Sequence, residues 1–130
     1  MDELRNAVGQ RLHELTKAEW GIVTAGCAAA LTHATLACIA GANPERMQRI
    51  PKLEGLKNEV IIPKHSRNVY DHAVRMPGVD IIEVNSQTAL ESSINPRTAM
   101  ITIMASPRAV KGPLSQDNRA KIAQSAGVPR

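Results

Sequence analysis

Residues 20–41, WGIVTAGCAAALTHATLACIAG, decide the fold class. Trp20–Thr24 is expected to be a short extended piece and Gly26 a turn. Cys27–Ala40 is expected to be an alanine-rich helix closed by Gly41. An extended piece that turns into a helix leaves the N–H groups of the first helical turn unpaired, with the helix dipole behind them. The small residues of Thr24–Ala29 would let an anion approach those groups closely, so the stretch is a candidate phosphate cradle. It is not a Walker loop, because no Gly-Lys-Ser/Thr ending follows, and it lacks the GxGxxG spacing. A glycine at such a turn serves chain geometry as readily as ligand binding.

The flanking sequence extends the pattern. Residues 2–17 form an amphipathic helix in prospect, with Asp2 and Glu3 at its positive end. Its stripe of Leu4, Val8, Leu12 and Leu15 would pack either on the chain's own sheet or on a partner chain. Asn43–Asn58 is a polar connection in which Pro44 can start a helical turn. Beyond it, strands are expected at Glu59–Pro63, Val79–Val84 and Thr98–Met104. Helices are expected at Ser66–Met76, Thr88–Ile94 and Ser115–Ala126, the last with Ser115 as N-cap and Gly127 at its end. Alternating strands and helices imply an α/β fold with a mainly parallel sheet. Its ligands would sit at the carboxyl ends of the strands: Thr24–Ala29, Pro63–Arg67, Asn85–Gln87 and Ala105–Gly112. At Gly127-Val128-Pro129-Arg130 a further strand would be expected, so the alternation reads as truncated.

Hydrophobic residues make up 43% of the 130, which fits one globular domain. There is no Phe, one Trp and one Tyr, so the core must come from Ala, Val, Ile, Leu and Met. The net charge of +4 arises entirely in residues 105–130, because residues 1–104 hold eleven basic and eleven acidic side chains. Arg108, Lys111, Arg119, Lys121 and Arg130 have no aromatic residue among them for base stacking, which favours a solvated surface over a nucleic-acid patch. The polar start MDELRN leads into no apolar signal segment, and Cys27–Gly41 is too short to cross a bilayer. Cys27 and Cys38 are expected on one helix, roughly 16 Å apart along its axis. A disulfide needs Cα atoms within about 7 Å, so two free thiols and a cytoplasmic protein are expected.

A second polar constellation, Lys64-His65-Ser66-Arg67-Asn68-Val69-Tyr70-Asp71-His72, follows the first strand. A flat ring there could cover a planar ligand, although a solvated loop explains any single residue equally well. His65 and His72 have no third ligand beside them, so no metal site is expected. His13 and His33 are isolated. No Ser/His/Asp arrangement emerges, and Cys27 suits a small helix position better than a nucleophile's.

The run ELTKAEWGIVTAGCAAALTHATLACIAG (14–41) resembles the start of the large domain of fold-type-I (aspartate-aminotransferase-like) pyridoxal-phosphate enzymes. It is most similar to the selenocysteine-synthase (L-seryl-tRNA(Sec) selenium transferase)-like family. NEVIIPKHSRNVYDHAVRMPGVDIIEV (58–84) and TAMITIMASPRAVKGPLSQDNRAKIAQSAGVP (98–129) continue the same order. The resemblance implies pyridoxal 5'-phosphate as cofactor. Its phosphate would rest on Ala25, Gly26 and Cys27, with His65 stacked on its ring, Tyr70 as the alternative, and Ser106 in a loop near that ring.

The resemblance also implies a division into an N-terminal helix, 1–18, and a partial cofactor-binding large domain, 19–130. The family's pyridine-pairing Asp and Schiff-base Lys would fall after Arg130. Lys64 and Lys111 do not match that lysine, so no catalytic residue is expected within the chain, and the chain by itself is expected to be inactive. The implied activity is that of a lyase or transferase acting at the β-carbon of an amino-acid or amino-sugar substrate. The alternatives are a class-V-type aminotransferase or desulfurase and, from another class, a non-catalytic phosphate-binding module. A small substrate is preferred to charged tRNA because residues 1–104 carry no net charge. A homodimer or larger homo-oligomer is implied.

Overall fold

A computed structural model describes residues 1–104, 111–112 and 114–129. Three strands, β1 (Glu59–Pro63), β2 (Asp80–Val84) and β3 (Thr98–Ile101), form one sheet in the order β2-β1-β3. All pairings are parallel; Glu59 to Pro63 lie opposite Asp80 to Val84, and Ile61 lies opposite Ile101. The helices are α1 (Asp2–Thr16), α2 (Cys27–Ala40), α3 (Pro44–Arg49), α4 (His72–Arg75), α5 (Gln87–Ser93) and α6 (Gln116–Ser125). The chain is therefore α/β with a small parallel sheet, as its alternating pattern predicts.

The central strand explains the layering. Successive side chains of a strand point to opposite faces. Val60 and Ile62 meet Ile39 of α2 and Val74 of α4 on one face, while Ile61 meets Leu90 of α5 and Ala123 of α6 on the other. Val60, Ile61 and Ile62 are all buried, and each such side chain contributes about 1.5–3 kcal/mol on leaving water. Helices thus cover both faces, the arrangement parallel strands require. At the sheet edge β2 is less buried: Asp80 and Glu83 are exposed, Ile81 and Ile82 half-buried and Val84 buried.

Four sequence expectations meet a different structure. Trp20–Thr24 forms no strand, because no neighbour offers it a ladder; Trp20 folds back on α1 beside Gly9. Ser66–Met76 is not one helix but two 3-10 turns (Lys64–Ser66 and Val69–Asp71) followed by the four-residue α4. Side chains interrupt it: Asn68 accepts from the Tyr70 N–H, and Asp71 accepts from the Asn68 N–H in a reciprocal cap. Arg119, expected on a solvated surface, is buried at 5% exposure. The stripe on α1 does not form a core contact along its length, since Leu4 and Leu15 remain 67% and 64% exposed.

Candidate functional site

The topology points to one crevice. From β1 the chain crosses through α4 to β2 on one side, then through α5 to β3 on the other side of β1. The connections from β1 and β3 therefore diverge at their carboxyl ends, and such switch points are where parallel α/β sheets hold ligands. A cavity of about 80 Å³ lies there. Cys27 of α2, Ser66, Tyr70 and Asp71 after β1, and Thr102 and Ile103 after β3 contribute to its walls. At about 30 Å³ per water, it holds a group the size of two or three waters rather than a whole cofactor. A larger hollow of about 950 Å³, lined by Lys57, Asn58, Gly78 and Arg97, opens at the amino ends of the strands, away from the switch point.

Cys27, the first residue of α2, lines this cavity, and the helix start has no side-chain cap. Gly26 at the N-cap position offers no side chain, and the first turn holds no acidic residue. The first intrahelical bond is donated by Ala30 to the Gly26 carbonyl at 3.0 Å, which leaves the N–H groups of Cys27, Ala28 and Ala29 outside the helical ladder. Gly26 has φ +120°, a left-handed value that side-chain-bearing residues rarely adopt, and a Cβ there would meet nothing within 4 Å. The glycine serves the turn's geometry and leaves open space above it. Thr24 is turned inward, its hydroxyl donating to the Gly26 carbonyl at 3.0 Å.

Ser66 faces the same cavity from the β1 side. It is 5% exposed, and its Oγ has no hydrogen-bond partner among the described residues. A buried hydroxyl without a partner is costly, and it marks a place where an absent acceptor or donor is wanted. Behind it, Arg67 bonds Asp71 and reaches Glu83 at 2.5 Å, so this cation is already matched by two carboxylates. Asn68 donates to the Ser66 carbonyl at 3.1 Å and fixes the turn.

The sequence-expected residues divide. Cys27 and Tyr70 both line the cavity, whereas Ala25 and Gly26, which lead into α2, are not among its walls. His65 is exposed on the turn after β1 and does not line this cavity. Ser106 lies outside the described residues. Ser66 was part of the polar run, but nothing in one sequence signals an unpartnered hydroxyl. Among the described residues no group of His, Cys, Asp and Glu could hold a metal ion, and no helix is long and apolar enough to cross a membrane. Both cysteines are free; Cys27 is exposed, and burial pushes the Cys38 thiol up from its ordinary value, against a smaller opposing pull from Lys57.

Fold and crevice together define an α/β protein with a small cavity beside a helix N-terminus, and a solved structure shares that fold. The chain is 30% identical over 139 residues to D-glucosaminate-6-phosphate ammonia lyase of Salmonella typhimurium, covering 99% of this chain and 38% of the relative. It is 31% identical over 142 residues to the 5'-C-glycyluridine monooxygenase-decarboxylase of a Streptomyces species, covering 99% of this chain and 35% of that protein. A solved structure of D-glucosaminate-6-phosphate ammonia-lyase superposes with a TM-score of 0.89 at 29% identity, over 98% of this chain and 37% of the solved one. The chain thus spans between a third and two fifths of the length of the enzymes it matches. No family model matches the sequence.

Proposed function

We propose that the chain is the phosphate-holding part of a pyridoxal-phosphate-dependent lyase of fold type I, in the selenocysteine-synthase-like group. The observation that carries this reading is the uncapped N-terminus of α2, which meets the unpartnered Ser66 hydroxyl across a small cavity at the topological switch point. When bound, pyridoxal phosphate supplies an electron sink for bond changes at the α- and β-carbons of an amine substrate. The residues present fit its anionic end. Cys27, Ala28 and Ala29 offer N–H groups, Gly26 leaves room, and the helix dipole favours negative charge. Ala25 and Gly26 bring the chain into that turn, and His65 is the ring assigned to the cofactor's face, with Tyr70 the alternative. No Schiff-base lysine is assigned among the 130 residues.

Similarity to an enzyme named as an ammonia lyase of a phosphorylated amino-sugar acid favours a lyase over a transferase, and a small substrate over charged tRNA. The balanced charge of residues 1–104 agrees with that. A cytoplasmic homo-oligomer completes the reading. Its test is reconstitution of the whole protein with pyridoxal phosphate, followed by assay of ammonia released from D-glucosaminate-6-phosphate and related amino-sugar acids. Visible absorbance of a protein-bound cofactor together with ammonia release is expected. A whole protein that takes up no pyridoxal phosphate contradicts the reading.

A further inference from the structure

The Ser66 hydroxyl has more to say about the site than its place in the wall. Three residues earlier, β1 ends at Pro63, and the 3-10 turn Lys64–Ser66 carries the chain over the end of the sheet. That turn brings Ser66 beneath the surface while Lys64 and His65 stay exposed. The remaining apolar walls, Leu31, Ile62 and Val74, offer no hydrogen bond. Ser66 Oγ is thus an unpartnered donor in a pocket whose other polar walls are Cys27 at the positive end of α2, Asn68, Tyr70, Thr102 and Asp71, the last already paired with Arg67. Cys27, at the start of α2, and Ser66, on the turn after β1, line the same small space from two independent elements. An apolar residue at this position would suit a purely structural role better, because the hydroxyl's desolvation goes uncompensated among the described residues.

We propose that Ser66 is a binding residue of this subsite, donating its hydroxyl hydrogen to an oxygen of the phosphate group held at the N-terminus of α2. The assignment rests on the reading of that subsite as a phosphate site and adds a residue to it. A hydrogen bond to a charged acceptor contributes about 1.5–3 kcal/mol, which corresponds to roughly ten- to a hundredfold in affinity. The same hydroxyl costs stability when nothing accepts from it, so the empty protein should gain from its removal.

The experiment uses inorganic phosphate and pyridoxal phosphate as probes on the whole protein, in wild-type, Ser66→Ala and Ser66→Thr forms. One readout is the rate of Cys27 alkylation, followed by mass spectrometry as phosphate is added; the other is the melting temperature with and without phosphate. Phosphate should slow Cys27 alkylation in the wild type, with half-protection needing at least about ten times more phosphate in Ser66→Ala. Ser66→Thr, which keeps the hydroxyl, should recover most of that loss. Without ligand, Ser66→Ala should melt no lower than wild type. If phosphate protects both forms at equal concentration, Ser66 is not a ligand although the phosphate site stands. If neither probe protects the wild type, the phosphate site itself is wrong and this assignment falls with it. A Ser66→Ala protein that melts lower and binds phosphate normally assigns Ser66 a structural role and overturns the proposal.

Discussion

The indole of Trp20 lies against Gly9 of α1 so closely that a Cβ on Gly9 would sit 2.7 Å or less from ring carbons. The segment after α1 is thus hooked back onto the helix, and Gly21 meets Leu12 in the same way, at 2.6 Å from a built Cβ. Trp20 is the sole tryptophan, so its fluorescence reports this hook alone. Gly9→Ala should displace the ring and move its emission to the red. The global melting temperature should hold or rise, since alanine favours the helix by about 1 kcal/mol. Unchanged emission with a lower melting temperature would contradict the described contact.

Gly26→Ala tests the turn before α2. The clash is not with a neighbour, because the space is open; the cost lies in φ +120°, about 1–3 kcal/mol for a residue with a side chain. The variant should lose stability by that order in chemical denaturation, or shift the first turn of α2 and weaken phosphate binding. A variant equal to wild type in both measurements would place the turn elsewhere.

The two thiols should differ in reactivity and in pH response. Cys27 is exposed, whereas burial raises Cys38 from an ordinary value of 9.0. Iodoacetamide should therefore modify Cys27 first, as peptide mapping would show. For Cys38 the folded state keeps its proton in a pH range where the unfolded state has lost it. The unfolded state then binds fewer protons, and stability falls as pH rises above about 9.0. Cys38→Ala should flatten that alkaline decline, measured by denaturant melts from pH 8 upward.

Arg119 is the fourth case. Its Nε donates to the Leu114 carbonyl at 2.7 Å, yet its Nη2 is buried without a partner among the described residues, and burial pushes its guanidinium below the ordinary value. No residue among 105–110, 113 and 130 carries a carboxylate side chain. Replacing an unmatched buried charge by an apolar side chain of similar length is neutral or stabilising, by about 1 kcal/mol or more. Arg119→Met should accordingly raise the unfolding midpoint, and Arg119→Ala, which leaves a void, should do so less or lower it. A strong loss in Arg119→Met would reveal an acceptor for Nη2.

The elements that sequence predicted well are those whose signal is local or two-sided. EVIIP is buried on both faces, and its unbroken apolar run says so. The alanine-rich α2 with Gly26 and Gly41 at its ends, and α6 with Ser115 as N-cap, carry their boundaries in the residues themselves. Residues 66–76 misled because the Asn68 and Asp71 side chains take over the backbone's bonds and split the segment into turns. Trp20–Thr24 misled because strand composition does not supply a neighbouring strand. For the site, the uncapped helix start was legible in Gly26 and the small residues after it. Ser66 and Arg119 were not, because an unmatched polar group is a property of the packed surroundings and not of the residue.

The central claim is that the space between Cys27 and Ser66 receives the phosphate of pyridoxal phosphate. It is tested most directly by equilibrium dialysis of the whole protein against pyridoxal phosphate and against pyridoxal, which lacks the phosphate. Pyridoxal phosphate should bind far more tightly, and inorganic phosphate should compete with it. Equal binding of the two compounds, or pyridoxal phosphate binding that inorganic phosphate leaves untouched, would contradict the account.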